Sequence, residues 1–519
     1  MTSNILFIMS DQLRWDHVSA YGRSPVETPN IDRIARRGVR FDAAYVQGPV
    51  CGPSRMSYYT GRYVTSHGAT WNRVPLSVRE KTLGDHLRAA GRVATLAGKT
   101  HVMPDTDALD RYGIEIESER GALLREGGFV PIERFDGHSP PDARSGYADY
   151  LRGKGYAGSG DPWSEFAVSM QDERGAVVSG WQMRNLHLPA RVRAEDSETA
   201  YLTDRALEFL RANNHKPWVL HLSYVKPHWP YVAPAPYHAM YRGKDIGTVI
   251  RSRAEFDNQH PVLAAFRQHP ECLTFARDEV VAHVRPAYLG LVKELDDHIG
   301  RVLDELESLG RMQDTLIVFC SDHGWFGGDH WLDEKELFFE SAVRVPFIVH
   351  DPSADADATR GTADARFVEC VDVVPTILDA LDIARPRHWI EGRSLLPLTR
   401  GRKVEWRDCV FSEADYSFRP ARWALKREPH ECRGWMVRTA EWKYIHWQGF
   451  GPQLYNLISD PDEFIDYGTD PRYAGICAQM RERLFDWMSG LRLRTTISDE
   501  EVEQRTDGAK RHGILIGNW

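Results

Sequence analysis

An α/β fold, with a mixed, mostly parallel central sheet flanked by helices and a smaller C-terminal α+β domain, is what this sequence predicts. Three observations carry it. Asn4–Ser10 is a short, continuous apolar run with β-branched content, the pattern of a central strand buried on both faces. A capped helix, Thr28–Gly38, and a second short strand, Val39–Tyr45, follow it, which is the alternation of a wound sheet. A long late helix feeds through Gly310 into Thr315–Cys320, a strand that ends on Ser321-Asp322-His323-Gly324. In doubly wound sheets ligands sit beyond such carboxyl ends.

The remaining elements follow in order. Thr82–Ala90 reads as a helix closed by Gly91, and Val93–Leu96 as a strand. The helix Thr199–Ala212 precedes Pro217–Tyr224, another buried-strand candidate. Tyr288, Val292, Leu295, Ile299, Leu303 and Leu306 lie three or four apart, making one apolar stripe on a helix over about 288–309. From about 104 to 200 the chain is rich in Gly, Pro, Ser and Asp, and is expected to be an excursion over the site rather than core. Residues 1–400 thus form the expected catalytic unit. Residues 401–495 form the α+β unit, with strands at Met436–Arg438 and Lys443–His446 and a helix at Ile476–Leu491. The tail 496–519 ends in Ile514-Leu-Ile-Gly-Asn-Trp519 and reads as an oligomerisation arm, so a homodimer or homotetramer is expected.

Composition narrows the function. Of 519 residues, 42% are hydrophobic and 27% charged, so the chain can bury a large core and is neither disordered nor a disulfide-stapled miniprotein. A net charge of −9 argues against a nucleic-acid binder. No signal peptide and no run of about 18 apolar residues is present, so a cytoplasmic protein without a membrane span is expected. The seven cysteines form no CxxC pair or zinc spacing, and six read as ordinary reduced thiols.

Several residues could carry chemistry. Asp11 and Gln12 follow the first strand, and Asp322 and His323 the late one; set side by side, two carboxylates, an amide oxygen and an imidazole suit a divalent cation. Singly, each is an ordinary loop start. Cys51-Gly-Pro-Ser-Arg55 places a cysteine at a helix start, where free N–H groups favour an anion and would lower a thiol pKa. Asn72, Lys99, His101, His228 and Lys335 fall in connecting loops. Lys99, His228 and Lys335 could clamp a tetrahedral oxyanion, and His101 could act as acid or base. His67, His330 and His350 read as surface or satisfied histidines. Trp71, Trp229 and Trp325 could line a pocket for an aryl or quaternary ammonium group, or be core or rim residues.

Cys51-Gly-Pro-Ser-Arg55, continuing to Thr60-Gly61-Arg62, resembles the Cys-x-Pro-Ser-Arg signature of the type I, formylglycine-dependent sulfatases. The resemblance extends over nearly the whole chain apart from the 104–200 excursion and the tail. Asn4–Gln12, Thr28–Arg33, Gly98-Lys-Thr-His101, Ser321–Gly324, Lys335, Glu340, Arg344-Val-Pro346, Val371–Leu378 and Leu454–Glu463 are all similar to family landmarks. It implies a sulfatase fold of the alkaline phosphatase superfamily, and a Cys51 oxidised to formylglycine by a maturation enzyme. By the same resemblance Asp11, Gln12, Asp322 and His323 hold one metal ion with residue 51. Arg55 and Lys99 orient the nucleophile, His101 is the base that ends the covalent intermediate, and His228 and Lys335 bind the ester oxygens. His228 also protonates the leaving group, and Asn72 is a further oxyanion contact.

Two departures matter. Gln12 and His323 stand where many members have Asp and Asn, a set that resembles choline-sulfatase-like and phosphonate monoester hydrolase branches. It removes one negative charge and adds a nitrogen ligand, which brings Mn²⁺ beside Ca²⁺. The expected activity is hydrolysis of a small anionic sulfuric ester, with phosphonate monoester or phosphodiester hydrolysis as the alternative. A Cys51–His101 thiol hydrolase and an anion-binding relative without turnover are the other readings.

Overall fold

The computed structural model describes residues 2–137, 146–158 and 160–517. Among the described residues fourteen strands are present. The central sheet contains β1 (Asn4–Asp11), β2 (Val39–Tyr45), β3 (Ala94–Gly98) and β4 (Val130–Arg134). A small ribbon, β5 (Ser169–Gln171) with β6 (Val177–Ser179), stands apart. The central sheet resumes with β7 (Val219–Pro227), β8 (Thr315–Ser321), β9 (Phe347–His350) and β10 (Thr362–Glu369). β11 (Cys409–Asp415), β12 (Arg433–Thr439), β13 (Trp442–Trp447) and β14 (Gln453–Asn456) form a separate antiparallel sheet. The eight-stranded order is β10-β2-β9-β8-β1-β7-β3-β4, parallel throughout except for β9. This is the expected mixed, mostly parallel architecture.

Every residue of β1 is buried, as a strand covered on both faces requires. Its register against β8 sets Ser10 opposite Ser321, and the Asp322 N–H donates to the Ser10 carbonyl at 3.1 Å. The two strand ends that carry Asp11 and Asp322 therefore do lie side by side. The helix Asp278–Ser308 packs its stripe, Tyr288 to Leu306, fully inward. It begins ten residues before the first residue of that stripe and carries Pro286 inside it.

Two readings are corrected by the packing. Gly38, read as the glycine that closes the first helix, follows α1 (Pro29–Arg37) in an extended rather than left-handed conformation; it is glycine because a Cβ there would lie 2.2 Å from the Val349 carbonyl oxygen. The 104–200 stretch is not merely a cover. It supplies β4 to the sheet edge, and Phe129, Phe135, Tyr147, Trp163 and Met170 from it are buried in the core. Its polar composition hides this because short apolar pieces are separated by turns. Residues 138–145 and 159 of that stretch, and the last two residues of the predicted arm, lie outside the described residues. Ile514, Leu515 and Ile516 are exposed. No helix among the described residues is long and apolar enough to cross a membrane.

His67, His330 and His350 are buried and hydrogen-bonded, on Ser57, Glu255 and the Arg37 carbonyl. Burial holds His67 and His221 at about 3 and His298 at about 4. These folded values lie below the unfolded value of about 6.5. The stability gained by keeping the rings neutral is complete above that pH and is lost as pH falls toward 3–4. Each such histidine should cost about 1.4 kcal/mol per pH unit inside that window. Thermal unfolding followed from pH 7 to pH 5 should show a steep fall in midpoint; a flat profile would contradict this burial.

Candidate active site

Cys51 opens α2 (Cys51–Thr60), whose residues are all buried. Asp11, Cys51, Asp322 and His323 bring four ligand atoms within 4.8 Å of one another at the ends of β1 and β8 and the start of α2. The His323 Nδ1–H donates to the Gly324 carbonyl at 2.8 Å, which fixes the tautomer and leaves the Nε2 lone pair facing inward. Nε2 lies 3.1 Å from Cys51 Sγ, 3.5 Å from Asp11 Oδ1 and 3.6 Å from Asp322 Oδ1. Two carboxylates, one imidazole nitrogen and the residue 51 side chain fit a hard or borderline dication. Gln12 stands beside them with its N–H on Asp322 Oδ1 at 3.1 Å. Its amide donates to the Tyr231 hydroxyl, and its Oε1 accepts from Lys335 Nζ at 3.2 Å.

Buried cations hold this acidic group. Arg55 Nε donates to Asp322 Oδ2 at 2.8 Å and Nη2 to Asp11 Oδ2 at 3.3 Å, so one guanidinium spans both carboxylates. Its Nη1 is fixed by the Lys99 carbonyl and Ser223 Oγ. Lys99 Nζ pairs with Asp11. Lys335 Nζ donates to His228 Nε2 at 2.9 Å, while His228 Nδ1–H donates to the Trp229 carbonyl. Asn72 Oδ1 accepts the Gly52 N–H at 2.7 Å, directly beside the nucleophile candidate. Gln12 and His101 both hold positive φ, 68° and 55°, an uncommon backbone state for such residues that is found at sites where surrounding structure imposes it.

The electrostatics follow from burial. The Cys51 thiol is pushed up to about 12 by burial, with Asp11 acting in the same direction. This overturns the expectation of a lowered thiol pKa, because desolvation and a neighbouring carboxylate outweigh the helix N-terminus. His101 and His228 are held well below the usual imidazole range, by burial first and then by Lys99 and Lys335 respectively. Burial also opposes the charge on Lys335, but Cys51, Glu334 and Asp11 outweigh it and keep the ammonium protonated.

These residues open onto a cavity of about 590 Å³. Cys51, Asn72, His101, His228 and Lys335 line it, with Trp71, Trp229 and Phe418 as apolar walls and Glu271, Glu334, Glu336, Arg73 and Arg419 among the polar ones. All eleven candidate residues thus fall in or directly behind one site. Trp325 does not; it is fully buried on Tyr288. Sequence reasoning missed Ser223, Phe418 and Arg419. The last two come from the loop after β11, more than 360 residues from Cys51, and nothing local marks them.

A mostly parallel-sheet α/β core with a buried cluster of carboxylates, imidazole and cations at its strand ends, plus a C-terminal antiparallel sheet, defines a hydrolase of the alkaline phosphatase superfamily. The sulfatase family model matches residues 3–383, and the chain belongs to that family. A second model, N-sulphoglucosamine sulphohydrolase, C-terminal, matches residues 322–489. The multifunctional alkaline phosphatase superfamily protein PehA of Trinickia caryophylli is 32% identical over 510 residues, covering 93% of this chain and 95% of that protein. An arylsulfatase of Clostridium perfringens is 28% identical, covering 90% of this chain and 93% of its own length. The phosphonate monoester hydrolase SpPMH of Silicibacter pomeroyi superposes with a TM-score of 0.84 at 29% identity, over 96% of this chain and 98% of that one.

Proposed function

We propose that this protein hydrolyses monoanionic tetrahedral esters, namely sulfate monoesters and phosphonate monoesters or phosphodiesters, at one metal-dependent site with residue 51 as nucleophile. The carrying observation is the buried cluster of Asp11, Cys51, Asp322 and His323 opening on a cation-lined cavity. Burial raises the Cys51 thiol pKa, which disfavours a thiol mechanism with His101 at neutral pH, and the Cys51-Gly-Pro-Ser-Arg55 signature in a sulfatase-family chain supports formylglycine at residue 51. When present, the metal (Mn²⁺ or Ca²⁺) supplies Lewis-acid charge neutralisation and the hydrated aldehyde supplies a nucleophilic hydroxyl.

The chain's own groups do the rest. Asp11, Asp322, His323 Nε2 and the Gln12 amide would hold the ion. Arg55 fixes both carboxylates, and Lys99 holds Asp11 near the nucleophile. Lys335 and His228 face the ester oxygens; the Lys335 ammonium, oriented by its hydrogen bond to the neutral His228 Nε2, carries the proton that the leaving oxygen can take. His101, neutral at pH 7, is placed to accept the proton whose removal releases the product.

All three ester classes carry one negative charge, so charge does not separate them. Shape does: a sulfate monoester has one organic group, whereas a phosphonate monoester or phosphodiester has two. The wide cavity and the near full-length similarity to SpPMH favour the two-substituent esters as the better substrates. Comparing kcat/KM for nitrophenyl sulfate and nitrophenyl phenylphosphonate tests this. Both should turn over, the phosphonate ester faster, and Lys335→Ala should lower both by about 10²-fold or more. No turnover of either ester by matured, metal-loaded protein would refute the proposal.

A further inference from the structure

One wall of the cavity is built in a way the reaction itself does not require. Trp71 and Phe418 come from opposite ends of the chain, yet their rings are parallel within 8° with centroids 6.1 Å apart. Phe418 is 52% exposed. Its loop is nonetheless locked: the Ser417 N–H donates to Asp415 Oδ1 at 2.9 Å, Arg422 Nε to the Ser417 carbonyl at 3.0 Å, and Arg419 pairs with Glu336 and Glu271. Thr70 Oγ1 donates to Asp415 Oδ2 at 2.7 Å, so the Trp71 and Phe418 segments are tied to each other. A half-exposed aromatic ring held rigidly over a polar site is a preformed stacking surface.

Its position assigns it to one part of the substrate. In-line displacement sets nucleophile and leaving oxygen on opposite sides of the central atom, with the retained groups spread between them. Trp71 precedes Asn72, which packs so closely on the residue after Cys51 that a Cβ on Gly52 would lie 2.9 Å from the Asn72 Cα. Trp229 instead adjoins His228, the group facing the leaving oxygen, and is backed by Trp181. Resting on the proposed function, we infer that Trp71 and Phe418 form a subsite for a planar, apolar retained substituent, the group a phosphonate monoester or phosphodiester has and a sulfate monoester lacks. These two side chains set substrate preference without taking part in the chemistry.

Three esters with the same nitrophenol leaving group test this: the phenylphosphonate, the methylphosphonate and the sulfate. Phe418→Ala and Trp71→Ala should each lower kcat/KM for the phenylphosphonate by about 10-fold. Turnover of the methylphosphonate and sulfate should be unchanged. Calorimetric titration with phenylphosphonate and methylphosphonate, the free acids, gives a readout independent of turnover: the wild-type protein should bind the phenyl compound more tightly, and each variant should lose that margin. Equal losses on all three esters, or no loss on the phenyl ester, would overturn the inference. Should the wild-type protein hydrolyse none of the three, the functional proposal fails, and the two titrations still decide the subsite.

Discussion

Cys51→Ser should convert the enzyme into one that reacts once and stalls. A serine hydroxyl can attack the central atom and expel the leaving alcohol, but it has no second hydroxyl whose deprotonation would then break the new bond. The covalent ester must wait for water. The expected result is a burst of about one nitrophenol per active site, followed by a steady state at least ~10³-fold below the wild-type rate. The trapped protein should carry the added mass of the transferred group on residue 51. Undiminished turnover by the serine variant would show that residue 51 does not need to be more than a hydroxyl.

Arg55→Ala should be the most damaging of the neighbouring changes to the fold as well as to activity. The guanidinium is fully buried and bridges Asp11 and Asp322. Removing it takes away the charge that bridges the two carboxylates, while Lys99 pairs with Asp11. Breaking a buried ion pair from one side typically costs about 3–5 kcal/mol. Thermal or urea unfolding of the metal-free variant should show that loss, and saturating Mn²⁺ should restore part of it, because a dication replaces the missing positive charge. A variant as stable as the parent, with or without metal, would mean that the carboxylates are not held in the arrangement described.

The parts of this site that were legible in the sequence are those that lie at the ends of regular elements. The run Asn4–Ser10 reads as a buried strand from its apolar continuity, and the polar residues that end it are conspicuous for that reason; the same holds for Asp322 and His323 after Thr315–Cys320. Their adjacency needed only a parallel pairing of the two strands. The pKa of Cys51 was read with the wrong sign, because local sequence reports a helix N-terminus and not the desolvation imposed by tertiary packing or the approach of Asp11. The walls of the cavity were the least legible part. Phe418 and Arg419 reach Trp71 only because the C-terminal sheet packs against the catalytic sheet, a contact without local pattern. The 104–200 stretch hid an edge strand of the central sheet for the related reason that β4 is short, turn-flanked and mostly exposed, so neither alternation nor length marks it.

The chemical identity of residue 51 in the working enzyme decides the mechanism. Protein produced together with a formylglycine-generating enzyme, digested and weighed at the peptide that contains Cys51, answers this directly. The expected peptide is lighter than the cysteine form by the mass difference between a thiol side chain and an aldehyde, and the fraction so modified should scale with turnover of the sulfate and phosphonate esters. A fully active preparation in which that peptide carries only an unmodified thiol would contradict the account.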